Sequence, residues 1–215
     1  MESITANLGV PFLLGSGQKR DLTIKRYPTC QLTHRALDAI LFLVNEHNIA
    51  PDEVETVDCV GPPRMFYILK YPEPKTSFEG KFSMQFCMAI AILERNAGLA
   101  QVTDEKVNDP QTRELMKKIS MRAHADWVEG QDRWDRADRV TVKLKNGKEY
   151  TREVLRQKGH ATMPMSWSEL ESKFRECAGT VLRERDIQHS LALLKSLEKQ
   201  PNLSKLMNIV GLIKI

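Results

Sequence analysis

No glycine-rich phosphate loop, no closely paired cysteines and no long apolar run occurs in this 215-residue sequence. Gly-x-Gly-x-x-Gly, Walker, Gly-x-Ser-x-Gly and His-Glu-x-x-His patterns are all missing, which removes the usual support for nucleotide binding, serine hydrolysis and zinc proteolysis. The longest uninterrupted apolar stretch, the one that contains Met88 to Leu93, falls far short of the roughly 20 residues that a bilayer-spanning helix needs. Met1 and Glu2 open the chain without a basic n-region, so neither a membrane protein nor a secreted one is expected. Cys30, Cys59, Cys87 and Cys177 form no Cys-x-x-Cys pair in a chain too large to need stapling, which points to reduced thiols in an intracellular setting, cytoplasmic or mitochondrial. Cys30 and His34 lack the second ligand pair that a zinc site requires, and the stretch from Asp126 to Asp138, with Trp127 and Trp134, lacks the order of a calcium loop. No metal and no cofactor is expected. The 32 basic and 28 acidic residues are interspersed, leaving a net charge of +4 but no basic tract that would address nucleic acid.

What is present suits a folded core: 41% of residues are hydrophobic and 28% charged. The length corresponds to one large domain, or one domain with a smaller element. Residues 1–20 form a leading segment in which Gly9, Pro11, Gly15 and Gly17 interrupt the apolar Leu8, Val10, Phe12, Leu13 and Leu14. From Thr33, a plausible N-cap, Leu37, Ile40, Leu41 and Val44 recur at helical spacing, and Asn48 and Pro51 close that helix near Glu46. Val54 to Val60 reads as a strand, and the prolines from Pro62 to Pro74 mark a loop or edge. Thr76 and Glu79 form a capping box, followed by Phe82, Phe86, Ile90 and Leu93 on a helix apolar nearly all round. Asp109 and Pro110 open a helix expected to reach Ile119. Val140, Val142 and Leu144 alternate with polar residues up to Asn146-Gly147, which predicts a hairpin with a type I′ turn. The last third is helical, with a capping box at Ser166 and Glu169 opening a helix to Leu182, and Asp186 and Asn202 as further caps. Helices and strands mix without regular alternation, which predicts an α+β fold rather than a doubly wound sheet.

The densest candidate for chemistry is Lys25 to His34. Pro28 keeps Tyr27 extended, so a segment carrying Lys25 turns sharply into a helix whose first residue is His34. The helix N-terminus beside Lys25 and Arg26 favours carboxylate groups, and its dipole disfavours imidazolium, leaving His34 able to accept a proton. The plain alternative is a histidine that merely occupies a helix end beside a solvated lysine. Lys81, in the first turn of the apolar helix, is either an anion-binding ammonium or a lysine snorkelling from a helix end. His124 and Asp126 read as a surface pair on a possible strand.

Lys25-Arg26-Tyr27-Pro28-Thr29-Cys30-Gln31-Leu32-Thr33-His34, followed by Leu37-Asp38-Ala39, resembles the Lys-x-Tyr-Pro-x-Cys-x-x-x-His segment of the MmgE/PrpD family. That family includes 2-methylcitrate dehydratase and cis-aconitate decarboxylase. Matching segments follow in order at Pro51 to Glu55, Glu79 to Ala89, Leu99 to Asp104, and Glu171 with Lys173, Phe174 and Arg175. The resemblance implies an α+β lid with a mixed sheet, residues 21–157, and a C-terminal helical segment, residues 158–215, that in the family returns to an all-helical domain. It implies a lyase that dehydrates 2-methylcitrate or a related polycarboxylate, here as a C-terminal fragment or subunit without the family's N-terminal helical half. Lys25 would hold a carboxylate, His34 would orient the substrate or accept a proton, Lys81 would add positive field, and Phe86 would line the wall. Phe86 stands where the decarboxylase and methylcitrate branches carry a proton-donating tyrosine, and Cys30 replaces a histidine of the decarboxylase branch. These departures favour dehydration over decarboxylation. A helical partner chain or a second copy would complete the site. The competing expectation is a non-catalytic binding or assembly module that kept the lid fold.

Overall fold

The computed structural model describes residues 23–125 and 136–211. The expectations placed on the leading segment 1–20, on Asp126, and on Trp127 and Trp134 lie outside the described residues. The chain divides into two units, Met1–Pro164 and Met165–Ile215.

The first unit is α+β. Helix α1 (His34–Glu46) buries Leu37, Ile40 and Val44 of the expected stripe together with Leu43, while Leu41 is half-buried against the core. It ends where Asn48 takes a left-handed φ of 47°. Strand β1 (Val54–Gly61) follows, and the proline-rich stretch after it winds a single helical turn, α2 (Met65–Ile68). The apolar pattern from Glu79 to Leu93 predicts one continuous helix, yet the structure splits it into α3 (Ser77–Gly80) and α4 (Met84–Glu94). Ser83 makes the break: its hydroxyl accepts from the Phe86 N–H and caps a new helix, so Phe82 falls in the link. The Thr76 hydroxyl accepts from the Glu79 N–H at 3.3 Å, while the Glu79 carboxylate reaches the Lys75 N–H at 2.6 Å.

Short helices α5 (Asp104–Asn108) and α6 (Pro110–Met116) lead back to the sheet. Asp109 caps α6 as expected, accepting from the Gln111 and Thr112 N–H groups at 3.0 Å each. The helix stops before Ile119, which instead opens β2 (Ile119–Ala123). Strands β3 (Asp138–Leu144) and β4 (Glu149–Val154) complete a sheet of order β2-β1-β3-β4, with β2 parallel to β1 and the other pairs antiparallel.

The expected hairpin at Asn146-Gly147 is present, but its turn differs from type I′. The Gly147 N–H donates to the Leu144 carbonyl at 2.9 Å, Gly147 alone of the turn sits at positive φ (84°), and the Leu144 N–H donates to the Lys148 carbonyl at 2.8 Å. A three-residue loop with a left-handed glycine at its end is the consequence, the second common way to join right-twisted strands.

One sheet face is apolar, with Val57, Cys59, Ile119, Val140 and Val142 in adjacent register, and α1 and α4 share their core with it. The opposite face carries Asp58, Ser120, Thr141 and Thr151. There the Arg122 Nε donates to Asp58 at 2.7 Å, and the two threonine hydroxyls meet at 2.9 Å. At the far end of α1, the His47 ring stacks on Tyr150 of β4 at 3.9 Å between centroids.

The second unit holds α7 (Trp167–Ala178), α8 (Glu184–Lys195) and the short α9 (Ser204–Val210). The predicted capping box is formed: the Ser166 hydroxyl accepts from the Glu169 N–H at 3.2 Å and the Ser166 N–H donates to the Glu169 carboxylate at 2.7 Å. Helix α7 ends at Ala178 rather than Leu182, and Asp186 lies inside the first turn of α8 instead of capping it. Asn202 precedes α9 and accepts from the Ser204 N–H at 2.9 Å. Arg175 joins the two longer helices by donating to Glu171 and Glu184, both at 2.9 Å. Among the described residues no helix is long and apolar enough to cross a membrane.

Gly80 is where α3 closes onto α4. A Cβ there would stand 2.9 Å from Phe86 Cδ1 and 3.0 Å from Val107 Cγ2, both buried side chains with little room to yield. Gly80→Ala is expected to lower stability by about 1–3 kcal/mol through overpacking. Urea unfolding measures this, and an unchanged midpoint would refute the tight packing.

Candidate functional site

The segment Lys25 to His34 is shaped by its hydroxyls. The Thr33 hydroxyl, expected to cap α1, turns back instead and donates to the Cys30 carbonyl at 2.8 Å, while lying 2.8 Å from the Thr29 hydroxyl. The first helical amides are reached through a 3-10 turn, Gln31–Thr33, rather than through a side-chain cap. Tyr27 is buried and its hydroxyl donates to Asp38 at 2.7 Å. Lys25 is exposed, with its ammonium donating to the Thr29 carbonyl at 3.2 Å.

Lys81 does not lie in the first turn of the apolar helix. It caps the C-terminal end of α3, half-buried, in the link that Ser83 ends. Its carbonyl accepts from the Cys30 N–H at 2.9 Å, which docks the link against the Lys25 turn. Lys25 and Lys81 are thus attached to neighbouring residues, Thr29 and Cys30, of one turn. The other two candidates go inward. His34 is fully buried with its ring edge-on to Tyr27 at 5.2 Å, and Phe86 is fully buried beneath Gly80. The dipole argument that placed His34 at an open helix end is overtaken by packing: the turn folds Tyr27 across it.

Cys30 is half-buried and its thiol is free. Cys87, on α4, directs its sulfur to the Gly80 carbonyl at 3.6 Å, and burial pushes its thiol up to about 12, so it stays protonated at neutral pH. Burial raises the Cys59 thiol as well. Beside the turn, a groove of about 800 Å³ runs between α1 and β4, bordered by Arg26, Tyr27, Asp38, Phe42 and Lys158. There the Arg152 guanidinium lies 4.0 Å from the Phe42 ring centroid.

Sequence reading missed one buried polar centre. Arg35, next to His34, donates to Asp138 at 3.2 Å and to the Arg136 carbonyl at 2.9 Å, tying the first turn of α1 to the start of β3. Desolvation outweighs the pull of Arg35 and Arg64 and raises the Asp138 carboxyl to about 6. No periodic signal could join residues so far apart in the chain.

The family model for the MmgE/PrpD C-terminal domain matches residues 27–199. Cis-aconitate decarboxylase of Mus musculus is 25% identical over 199 residues, and cis-aconitate decarboxylase of Homo sapiens is 25% identical over 196 residues. Each match covers 89% of this chain and 40% of the relative, so the chain spans about 40% of the length of these curated relatives.

The Asp138 carboxyl sets a sign for the pH dependence of stability. Its folded-state value of about 6 stands above the ordinary 3.8, so the native state holds the proton more tightly than the unfolded chain. The resulting stabilisation is full below about pH 4 and is lost as pH rises through about 6. Relative to Asp138→Asn, the wild type is expected to lose on the order of 2–3 kcal/mol between pH 4 and pH 7. Urea titrations of both proteins across this range check it, and parallel curves would refute it.

Proposed function

The chain belongs to the MmgE/PrpD family through its C-terminal domain, and from that membership we propose that it serves a carbon–oxygen lyase reaction, the dehydration of 2-methylcitrate or a related polycarboxylate. Such an elimination needs cations for the carboxylates, a base for the proton alpha to one of them, and an acid for the departing hydroxyl. The observation that carries the reading is the pairing of Lys25 and Lys81 on one turn, two ammonium-bearing residues attached to adjacent peptides. Each would hold a carboxylate, and the half-buried backbone around Lys81 would strengthen the attraction by limiting water. His34, packed on Tyr27, would orient the turn rather than meet substrate. Phe86 carries no exchangeable proton and supports the wall from within. Neither a metal nor an organic cofactor is required by these side chains.

The chain spans about 40% of the length of its curated relatives, and we place the remaining acid and base on a helical portion outside these residues. A second reading, release of CO₂ from cis-aconitate, is favoured by the names of both relatives. A third, a carboxylate-binding module without turnover, keeps the same turn. We place the protein inside the cell, in keeping with its four free cysteines.

Calorimetric titration with 2-methylcitrate and with cis-aconitate, followed by product analysis in the presence of a helical partner, separates these readings. Lys25→Ala and Lys81→Ala are each expected to weaken binding roughly ten-fold or more, since a charge-assisted contact contributes about 1.5–3 kcal/mol. Water loss supports the dehydratase, CO₂ release the decarboxylase, and tight binding without product the module. Equal affinity in wild type and both variants would overturn all three.

A further inference from the structure

Asp38 lies one turn into α1 beyond His34 and accepts from two segments that are remote from each other in sequence. One carboxylate oxygen takes the Tyr27 hydroxyl at 2.7 Å, and the other takes the Lys158 backbone N–H at 2.6 Å. The Arg26 guanidinium stands 3.9 Å away, and the Asp38 side chain is only 14% exposed, so these bonds act in a partly desolvated setting. A carboxylate in that position is costly unless it is held by donors, and both of its oxygens are occupied.

The loop that offers the Lys158 N–H grips the same segment a second time. Gly159 accepts from the Ile24 N–H at 2.9 Å and donates its own N–H to the Met163 carbonyl at 2.8 Å. Its φ is +90°, and a Cβ would stand 2.0 Å from the Ile24 carbonyl oxygen, so the approach is open to glycine alone. Residues 24–30 are therefore fastened at Ile24 by Gly159, at Tyr27 by Asp38 and at Cys30 by the Lys81 carbonyl. Lys25 sits between the first two fastenings.

We propose that Asp38, aided by Gly159, is a positioning residue for the carboxylate-holding lysines: it fixes the Lys25 segment in place before substrate arrives and keeps it docked on the Lys81 link. The proposal rests on the polycarboxylate reading given above. Its physical content is preorganisation. A lysine on a loose segment must be ordered at the moment of binding, whereas a lysine on a fastened one has that cost already met by folding. Asp38 touches no substrate in this scheme and acts only through Tyr27 and Lys158.

Asp38→Asn preserves shape but turns an amide toward the Lys158 N–H or the Tyr27 hydroxyl, Tyr27→Phe removes one donor, and Gly159→Ala forces Ile24 away. The backbone amide of Cys30 reports whether the turn stays docked on Lys81, and that of Ile90 in α4 reports global opening. In Asp38→Asn and Tyr27→Phe, hydrogen exchange at Cys30 is expected to accelerate about ten-fold or more while Ile90 is unchanged, the signature of local opening. Affinity for the acid that the wild type binds, 2-methylcitrate or cis-aconitate, should fall about five-fold, and Lys25→Ala should then cost only about two- to three-fold in the Asp38→Asn background instead of about ten-fold or more, a non-additivity expected only of coupled residues. Gly159→Ala, which leaves Asp38 intact, should accelerate Cys30 exchange as well. Unchanged exchange at Cys30 in Asp38→Asn and Tyr27→Phe, or full additivity with Lys25→Ala, would overturn the proposal. A wild-type protein that binds neither acid refutes the polycarboxylate reading instead, and the exchange measurements then decide by themselves whether Asp38 holds the segment.

Discussion

A helix without a polar face must be enclosed on every side, and α4 is such a helix. From Phe86 to Ile92 every residue is buried, so water can reach no part of its middle turns. Sheet, α1 and the short helices that follow β1 all find their places as coverings for it. Gly80 belongs to the same constraint, since the chain passes so close to Phe86 that there is no space for a side chain. The break at Ser83 follows as well: the chain must bend sharply to send α3 across the start of α4 instead of extending it.

Around this dry centre the polar groups are arranged as seams. Arg35 and Asp138 join α1 to β3, Asp38 joins α1 to two loops, and Arg95 closes the far end. Arg95 sits at a left-handed φ of 51° and donates to the Val44 and Ile49 carbonyls and to Asn48, which satisfies carbonyls left over where α1 stops. The candidate site lies on one such seam. Lys25 and Lys81 stand where two loops meet by backbone bonding, and neither belongs to the regular part of a helix or strand.

Much of this was legible in the residues. The stripe Leu37 to Val44, the alternation Val140 to Leu144, and the caps at Asp109 and Ser166 are local signals, and local geometry honours them. The errors have physical reasons. Period alone cannot distinguish one apolar helix from two when the break falls at Gly80 to Ser83, because Phe82, Phe86, Ile90 and Leu93 keep helical spacing across it. Thr33 carries the right side chain for a cap, but its hydroxyl donates to the Cys30 carbonyl and accepts from no helical amide. Asn146-Gly147 suits two kinds of turn, and the position of the last ladder bond selects between them. Arg35 with Asp138, and Asp38 with Lys158, depend on the tertiary path of the chain and leave no periodic trace. The nearness of Lys25 to Lys81 is of the same kind, visible only once the Cys30 amide is seen on the Lys81 carbonyl.

The pairing of β1 with both β2 and β3 also ties the sheet to the core through chain entropy. Strands β3 and β4 are separated by a short loop, so their ladder can close with little loss of chain entropy. Strand β1 reaches β2 across residues 62–118 and β3 across residues 62–137, so neither of its ladders closes until that stretch has been gathered over the sheet. That intervening stretch contains α4 itself. Both ladders of β1 therefore close across the segment that carries the most apolar helix, and the register of the sheet is coupled to the burial of that core.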